Sequence, residues 1–452
     1  MKHRYDRHPV KCGMLIVTAA CGWLVAPPFA RSQEANPENG GERIQAKAAA
    51  QAAEESEHNA VILDVTGGVS YNDNVSANNL DRVHDTLFSF GANFGLYESR
   101  PRYDITLIYR PDFIAYRQFT AYDQLNHDVS FRGTYHAAPH LDLELQDTTD
   151  YYRGIAETPV AETPFSPAAP LPSLNETVFT PVVNEFSDQI RIDAVDRLTP
   201  HGTADVFGTF EDRSFGQLQT PDTLFNTIGL AAGLTYTYRL NRAWSIVPSY
   251  SYQELTFGSS SWATFHNPSL NVTWNVTPTL AIVAFGGPQY ADLYEGLAAQ
   301  ALLSGKTAKS PIELQQWYLE YGASLTKEIQ HVQFQLSGQH IATDGGGVLT
   351  GVIKTQEDSQ LRWLVSEHWE VRLTAENSNT TAISLGFSSG NVHGQRIGFA
   401  MVHRFTPRLS ANFGYDYTRQ RVGGALPFYY NMDRNVVSFS VAYRVADFLL
   451  GR

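Results

Sequence analysis

Gly386-Phe387-Ser388-Ser389-Gly390 has the G-x-S-x-G spacing of a hydrolase nucleophile elbow. That chemistry needs a strand before the serine and a helix after it, so that the hydroxyl stands on a sharp turn. Here the surroundings are rich in Gly and Ser and read as a loop, and His393 lies too near in sequence to inform the geometry. Gly345-Gly346-Gly347 lacks the Lys-Ser/Thr of a phosphate cradle and reads as a second flexible loop. The fourteen histidines show no H-x-x-x-H spacing on a helix, so neither a metal nor any other cofactor is expected. The only two cysteines, Cys12 and Cys21, fall in a segment that reads as removed on export; a mature chain without cysteine has no disulfide, thiol nucleophile or Cys-bound zinc. No enzyme is expected; one that assembles Ser and His from distant strands stays open as an alternative.

The charged side chains with a pattern are Asp104, Arg110, Asp128, Arg132, Asp142, Glu144, Arg191, Asp193, Asp205, Glu211, Arg213, Glu320, Glu370, Arg372, Asp416 and Arg444. Each stands at a polar position of a stretch in which apolar and polar residues alternate. Side chains of a strand point to opposite faces with period 2, so these residues share a face that the apolar ones do not. On a lipid-facing surface Lys or Arg costs about 2–4 kcal/mol at the bilayer midplane. The sixteen are therefore expected to line a watery interior, where they cross-link the wall, set a selectivity field, or do both.

Phe405–Val445 is the unit that the rest of the chain repeats. Leu409, Ala411, Phe413, Tyr415 and Tyr417 alternate with Ser410, Asn412, Gly414, Asp416 and Thr418; Val437, Phe439, Val441, Tyr443 and Val445 form a second such row. Both strands have nine residues or more, the length needed to cross a bilayer at a tilt of about 45°. The turn before this pair, Thr406-Pro407-Arg408, is very short, and the connection inside it is longer. The same unit recurs from Val61. Strand 1 is Val61–Tyr71; the clearest, strand 5, sets Leu141, Leu143 and Leu145 against Asp142, Glu144 and Gln146. Short turns fall at Ser99-Arg100-Pro101, Ala138-Pro139, Thr199-Pro200, Asn241-Arg242 and Thr277-Pro278. The count is eighteen strands, with sixteen as the alternative because stretches such as Glu367-His368-Trp369 carry no Gly or Pro. They are joined by eight tight turns and nine longer connections. The fold class is all-β: a transmembrane, antiparallel, up-and-down barrel with short periplasmic turns and longer extracellular loops. Soluble sandwiches use shorter strands, and no propeller repeat is present.

The ends and loops complete the organisation. Residues 1–30 read as a signal peptide, with Lys2, Arg4, Arg7 and Lys11 before an apolar run from Cys12 to Ala26. Thr18-Ala19-Ala20-Cys21 is a weaker, lipoprotein-like alternative. No run of 18 apolar residues follows, so no transmembrane helix is available. Residues 31–58 read as a polar periplasmic leader, disordered or a short helix; 59–446 as the barrel; 447–452 as a C-terminal tail. Without residues 1–30 the chain keeps 29 basic and 45 acidic residues, a net charge of −16, which argues against nucleic acid as a partner. Residues 154–183 hold six prolines and form a long loop, either folded into the barrel on apolar anchors such as Phe165 and Phe179 or lying outside it. A second long loop covers about 294–310. Outward aromatics such as Tyr236, Tyr238, Trp244, Trp274, Tyr415 and Tyr443 read as interfacial girdles.

Leu198-Thr199-Pro200, Val276-Thr277-Pro278 and Phe405-Thr406-Pro407-Arg408-Leu409 each lead into an alternating strand, and Val69-Ser70-Tyr71-Asn72-Asp73-Asn74 opens the series. On these units the chain, from about Val61 to Val445, resembles bacterial outer-membrane β-barrel proteins and is similar to the β-barrel porin 2 group. The resemblance implies a channel in the outer membrane of a Gram-negative bacterium. Its partners would be outer-membrane lipid and lipopolysaccharide and the barrel-assembly machinery, and, in an exopolysaccharide-export role, a periplasmic export protein. A porin-like channel for polar solutes is the expectation, export the first alternative, and an outer-membrane enzyme or adhesin the second. The final strand resembles the assembly signal but departs from it in ending on Arg452, past Ala446.

Overall fold

Residues 59–153, 184–216, 224–258, 260–297, 310–345, 349–383, 391–423 and 431–449 are described by a computed structural model. The expected leader, the Pro-rich segment 154–183, most of the second long loop and the G-x-S-x-G segment lie outside them. Among the described residues eighteen antiparallel strands are present, and the alternative count of sixteen falls. They are β1 Ala60–Asn72, β2 Asp85–Arg100, β3 Tyr103–Tyr116, β4 Gln124–Ala138, β5 Leu141–Arg153, β6 Asn184–Thr199, β7 Gly202–Gly216, β8 Thr227–Arg239 and β9 Trp244–Phe257. The series continues with β10 Ser261–Thr277, β11 Leu280–Glu295, β12 Ile312–Ile329, β13 Val332–Gly345, β14 Leu349–Leu364, β15 Trp369–Ala382, β16 Asn391–Thr406, β17 Leu409–Gly423 and β18 Met432–Leu449. Each strand pairs with its neighbours in sequence, and β1 pairs with β18, so the sheet closes on itself. No described helix is long and apolar enough to cross a membrane.

The strands end where side chains cap the backbone. Thr406 Oγ1 accepts hydrogen bonds from the N–H groups of Arg408 (3.2 Å) and Leu409 (3.0 Å). Thr199 and Thr277 do the same for His201 and Thr279, each at 3.3 Å, and Asn241 Oδ1 accepts from Ala243 (2.8 Å) and Trp244 (3.0 Å). The recurrent Thr-Pro is therefore a hydroxyl-capped turn: Thr satisfies the donors and Pro presets the bend. Ser366 performs the same task without a proline, accepting from His368 (3.3 Å) and Trp369 (3.2 Å).

Two expectations are corrected. The last strand does not stop at Ala446: Phe448 and Leu449 pair with Val61 and Ala60, and a register shift at Leu63/Asp64 absorbs the extra residue. Not every connection at the open-loop end is long. β9 ends at Phe257 and β10 begins at Ser261, with Gly258 at φ +56° making the turn, and β13 and β14 are separated only by residues 346–348.

Candidate functional site: the barrel interior and its inward hairpin

The register fixes the two faces of the wall. Leu143, Leu145, Ile192, Val206, Leu230, Leu234 and Leu319 form part of an exposed apolar belt on one face. Aromatic residues border it. Trp244 and Trp274 stack at 5.1 Å near the tight-turn end, with Tyr236 beside Tyr238 and Trp369 over His403 at 4.1 Å. Towards the other end Tyr250, His266, Tyr290 and Trp317 form a second row, in which the Tyr250 hydroxyl meets His266 Nδ1 at 2.8 Å. An exposed belt between two aromatic girdles has one compatible environment, a lipid bilayer. The belt has a polar interruption: Asp147 and Asp188 face outward, both accepting from the Thr149 hydroxyl (3.3 and 2.9 Å).

The sixteen charged residues singled out in the sequence all fall on the opposite, inner face. Most are brought together in ion pairs. At the tight-turn end Glu370 is buried among three guanidinium groups, those of Arg372 (2.6 Å), Arg362 (2.9 Å) and Arg404 (3.4 Å). Arg444 of β18 reaches Asp64 of β1 at 3.0 Å, across the closure of the barrel. His136 lies between Asp142 (2.7 Å) and Asp104 (3.2 Å), and Arg197 approaches Asp142 at 3.5 Å. Farther along the wall Arg191 pairs with Asp193 (2.6 Å), approaches Asp205 at 3.9 Å and lies over the Phe207 ring at 4.3 Å. Arg213 bridges Glu185 (3.4 Å) and Glu211 (3.7 Å); Arg132 meets Glu144 (3.5 Å), Arg110 meets Asp128 (3.4 Å), and Arg396 meets Asp416 (2.9 Å). Glu320 lies on the inner face of β12 and is the one of the sixteen without a described ion pair.

Sequence reasoning missed the other half of the interior. Towards the open-loop end the inner face of β9–β11 is apolar: Leu255, Phe257, Ala263, Phe265, Ala291 and Leu293 are buried. Strands alone leave nothing to bury them against, and the tip of the β13–β14 hairpin supplies it. The β12–β13 ladder runs only from Ile329↔Val332 to Tyr321↔His340. Beyond that point β13 stays paired with β14, and the hairpin leans inward until β14 touches β10, which is not its neighbour in the sheet. Ala342, Leu349 and Val352 then join the buried cluster, with Ile383 and Val392 behind them. Gly351 lies so close to Leu293 that a Cβ there would meet Leu293 Cδ2 at 2.6 Å.

Gln289 fixes this arrangement. Its Nε2 donates to the Ala342 carbonyl and its Oε1 accepts from the Ala342 N–H, both at 2.9 Å and both buried. A side-chain amide thereby takes the place of a neighbouring strand. Thr350 adds a second tie through its hydroxyl to Glu295. The arrangement has one signal in the sequence, the run Val348-Leu349-Thr350-Gly351-Val352-Ile353, in which the alternation lapses and both faces are apolar or small.

No metal-binding cluster of His, Cys, Asp or Glu occurs among the described residues. Closure, belt, girdles and a polar inner wall together define a membrane-spanning β-barrel of the bacterial outer-membrane type. No family model matches the chain, and no curated protein does. Among solved structures it is similar to the FrpB iron transporter from Neisseria meningitidis (9% identity, TM-score 0.43, 88% of this chain and 83% of that one). It is also similar to OccK5 (OpdH) from Pseudomonas aeruginosa (10%, 0.43, 86% and 99%) and OccAB3 from Acinetobacter baumannii (10%, 0.42, 86% and 99%).

Proposed function

We propose that the protein is an outer-membrane channel that passes small polar solutes, and that it performs no catalysis. The observation that carries this reading is the inner wall: ionised side chains are held in fixed ion pairs along a closed barrel of eighteen strands, a size that leaves an aqueous channel rather than a packed core. The sixteen charged residues would line the path. Ten are carboxylates and six are arginines, so the field favours cations, and salt weakens it by screening. The inward β13–β14 hairpin narrows the path at the open-loop end, which is the extracellular end.

The test is conductance of the purified protein in a planar bilayer with a salt gradient. A reversal potential on the cation side, diminishing as salt rises, is the expected result. Anion preference would contradict the assigned lining, and absence of any conductance from a correctly folded barrel would overturn the channel.

A further inference from the structure

The inward lean of β13–β14 leaves a seam in the wall. Residues Ile312–Glu320 of β12 pair with β11, and among the described residues no strand pairs with their other edge. The seam starts at Tyr321↔His340 and widens towards the extracellular end. Trp317 stands in the upper girdle against Tyr290, so the seam opens at the depth of the outer leaflet, where headgroups meet acyl chains. Trp317 and Leu319, both 62% exposed, flank it on the outside. On the inside Leu314 and Tyr318 lie against the apolar cluster.

A free strand edge has backbone donors and acceptors that hydrocarbon cannot satisfy, and lipid-exposed open edges do not occur in the hydrocarbon region. What occupies this seam therefore needs hydrogen-bonding groups for the β12 edge. It also needs an apolar part for Trp317 and Leu319 outside and for Leu314 and Tyr318 within. An amphiphile with a polar head and an aliphatic chain meets both conditions; a small polar solute meets only the first. We infer that the β12–β13 seam is a lateral portal through which amphiphiles bearing an aliphatic chain enter the barrel wall from the outer leaflet. The inference rests on the membrane-channel reading and adds a second, sideways route with its own class of ligand.

The test uses three single-cysteine variants of a Cys-free mature chain, labelled with a small fluorophore and placed in vesicles of brominated phosphatidylcholine. Tyr318→Cys reports the inside of the seam. Leu325→Cys lies below it on the lipid face, and Thr148→Cys lies on the inner face of β5, away from it. Heat-modifiable gel migration checks folding, and Leu314→Cys replaces Tyr318→Cys if that variant fails to fold. Bromine on the acyl chains is expected to quench the labels at 318 and 325 to the same extent and to leave the label at 148 bright. Quenching at 325 alone overturns the portal and leaves the channel standing. No quenching at 325 overturns the membrane reading and the portal with it. Equal quenching at 148 would mean that lipid fills the interior generally, and would overturn a route confined to the seam.

Discussion

Replacing Gln289 with Ala removes the amide that holds the hairpin against the inner wall. Two buried hydrogen bonds of 2.9 Å are lost. At about 1 kcal/mol net for each, the inward position loses about 2 kcal/mol relative to any position in which water or β12 serves the Ala342 backbone. That is about a 30-fold shift in the hairpin's equilibrium. Gln289→Met is the shape control: it keeps the length of the side chain and removes both hydrogen bonds, so about the same effect is expected. The assay is single-channel recording combined with hydrogen exchange at Ala342. Longer or larger openings together with faster exchange are expected in both variants relative to wild type. Faster exchange with unchanged channel behaviour would refute the hairpin as the constriction. Unchanged exchange in a folded variant would refute the clamp itself.

Other predictions address the wall. Ile192→Arg sets a charge in the apolar belt and is expected to lower barrel stability by about 2–4 kcal/mol; Gln189→Arg, three residues away on the inner face, should insert normally, and equal defects by heat-modifiable migration would sink the assigned register. Glu370→Gln leaves Arg362, Arg372 and Arg404 facing one another without their shared carboxylate. Removing one partner of a buried ion pair costs about 3–5 kcal/mol, an upper value in a wall that water reaches. Thermal unfolding should shift down, and the reversal potential should move toward anions. Gly351→Leu drives a side chain into Leu293 and should reproduce the channel phenotype of Gln289→Ala without removing a hydrogen-bonding side chain. A wild-type conductance trace from that variant would show that the contact is dispensable.

Strand placement was legible because a barrel wall has water on one side and lipid on the other, which imposes period-2 alternation on almost every strand. Leu141 to Gln146 shows it without exception. The turn at Ser366-Glu367-His368 was hard to read for a physical reason: Gly and Pro are not what closes these turns. The capping side chain is, and Ser366 supplies it as Thr406 and Asn241 do. The inner face was legible by the same alternation, and that brought sixteen charged residues to one side. The hairpin was not. Gln289 looks like any inward polar residue of β11, and its partner is a backbone more than fifty positions away. Only the doubly apolar run Val348–Ile353 hinted that a strand would be covered on both faces. The expectation that the chain's last residues form a tail failed at Phe448 and Leu449, because a register shift at Leu63/Asp64 lets β18 run longer than its alternation shows.

The closure between β1 and β18 sets a condition on how the protein can be made. Asp64 and Arg444 meet across 380 positions of sequence, and every backbone pair of that ladder has a comparable separation. Non-local pairings of this kind form late, after a large loss of chain entropy. Until β18 has left the ribosome and crossed the inner membrane, β1 has no partner for one of its edges, and the belt residues along all eighteen strands have no lipid to face. Such a chain is adhesive for as long as it is in transit. A delay in supplying the last strand therefore endangers the first.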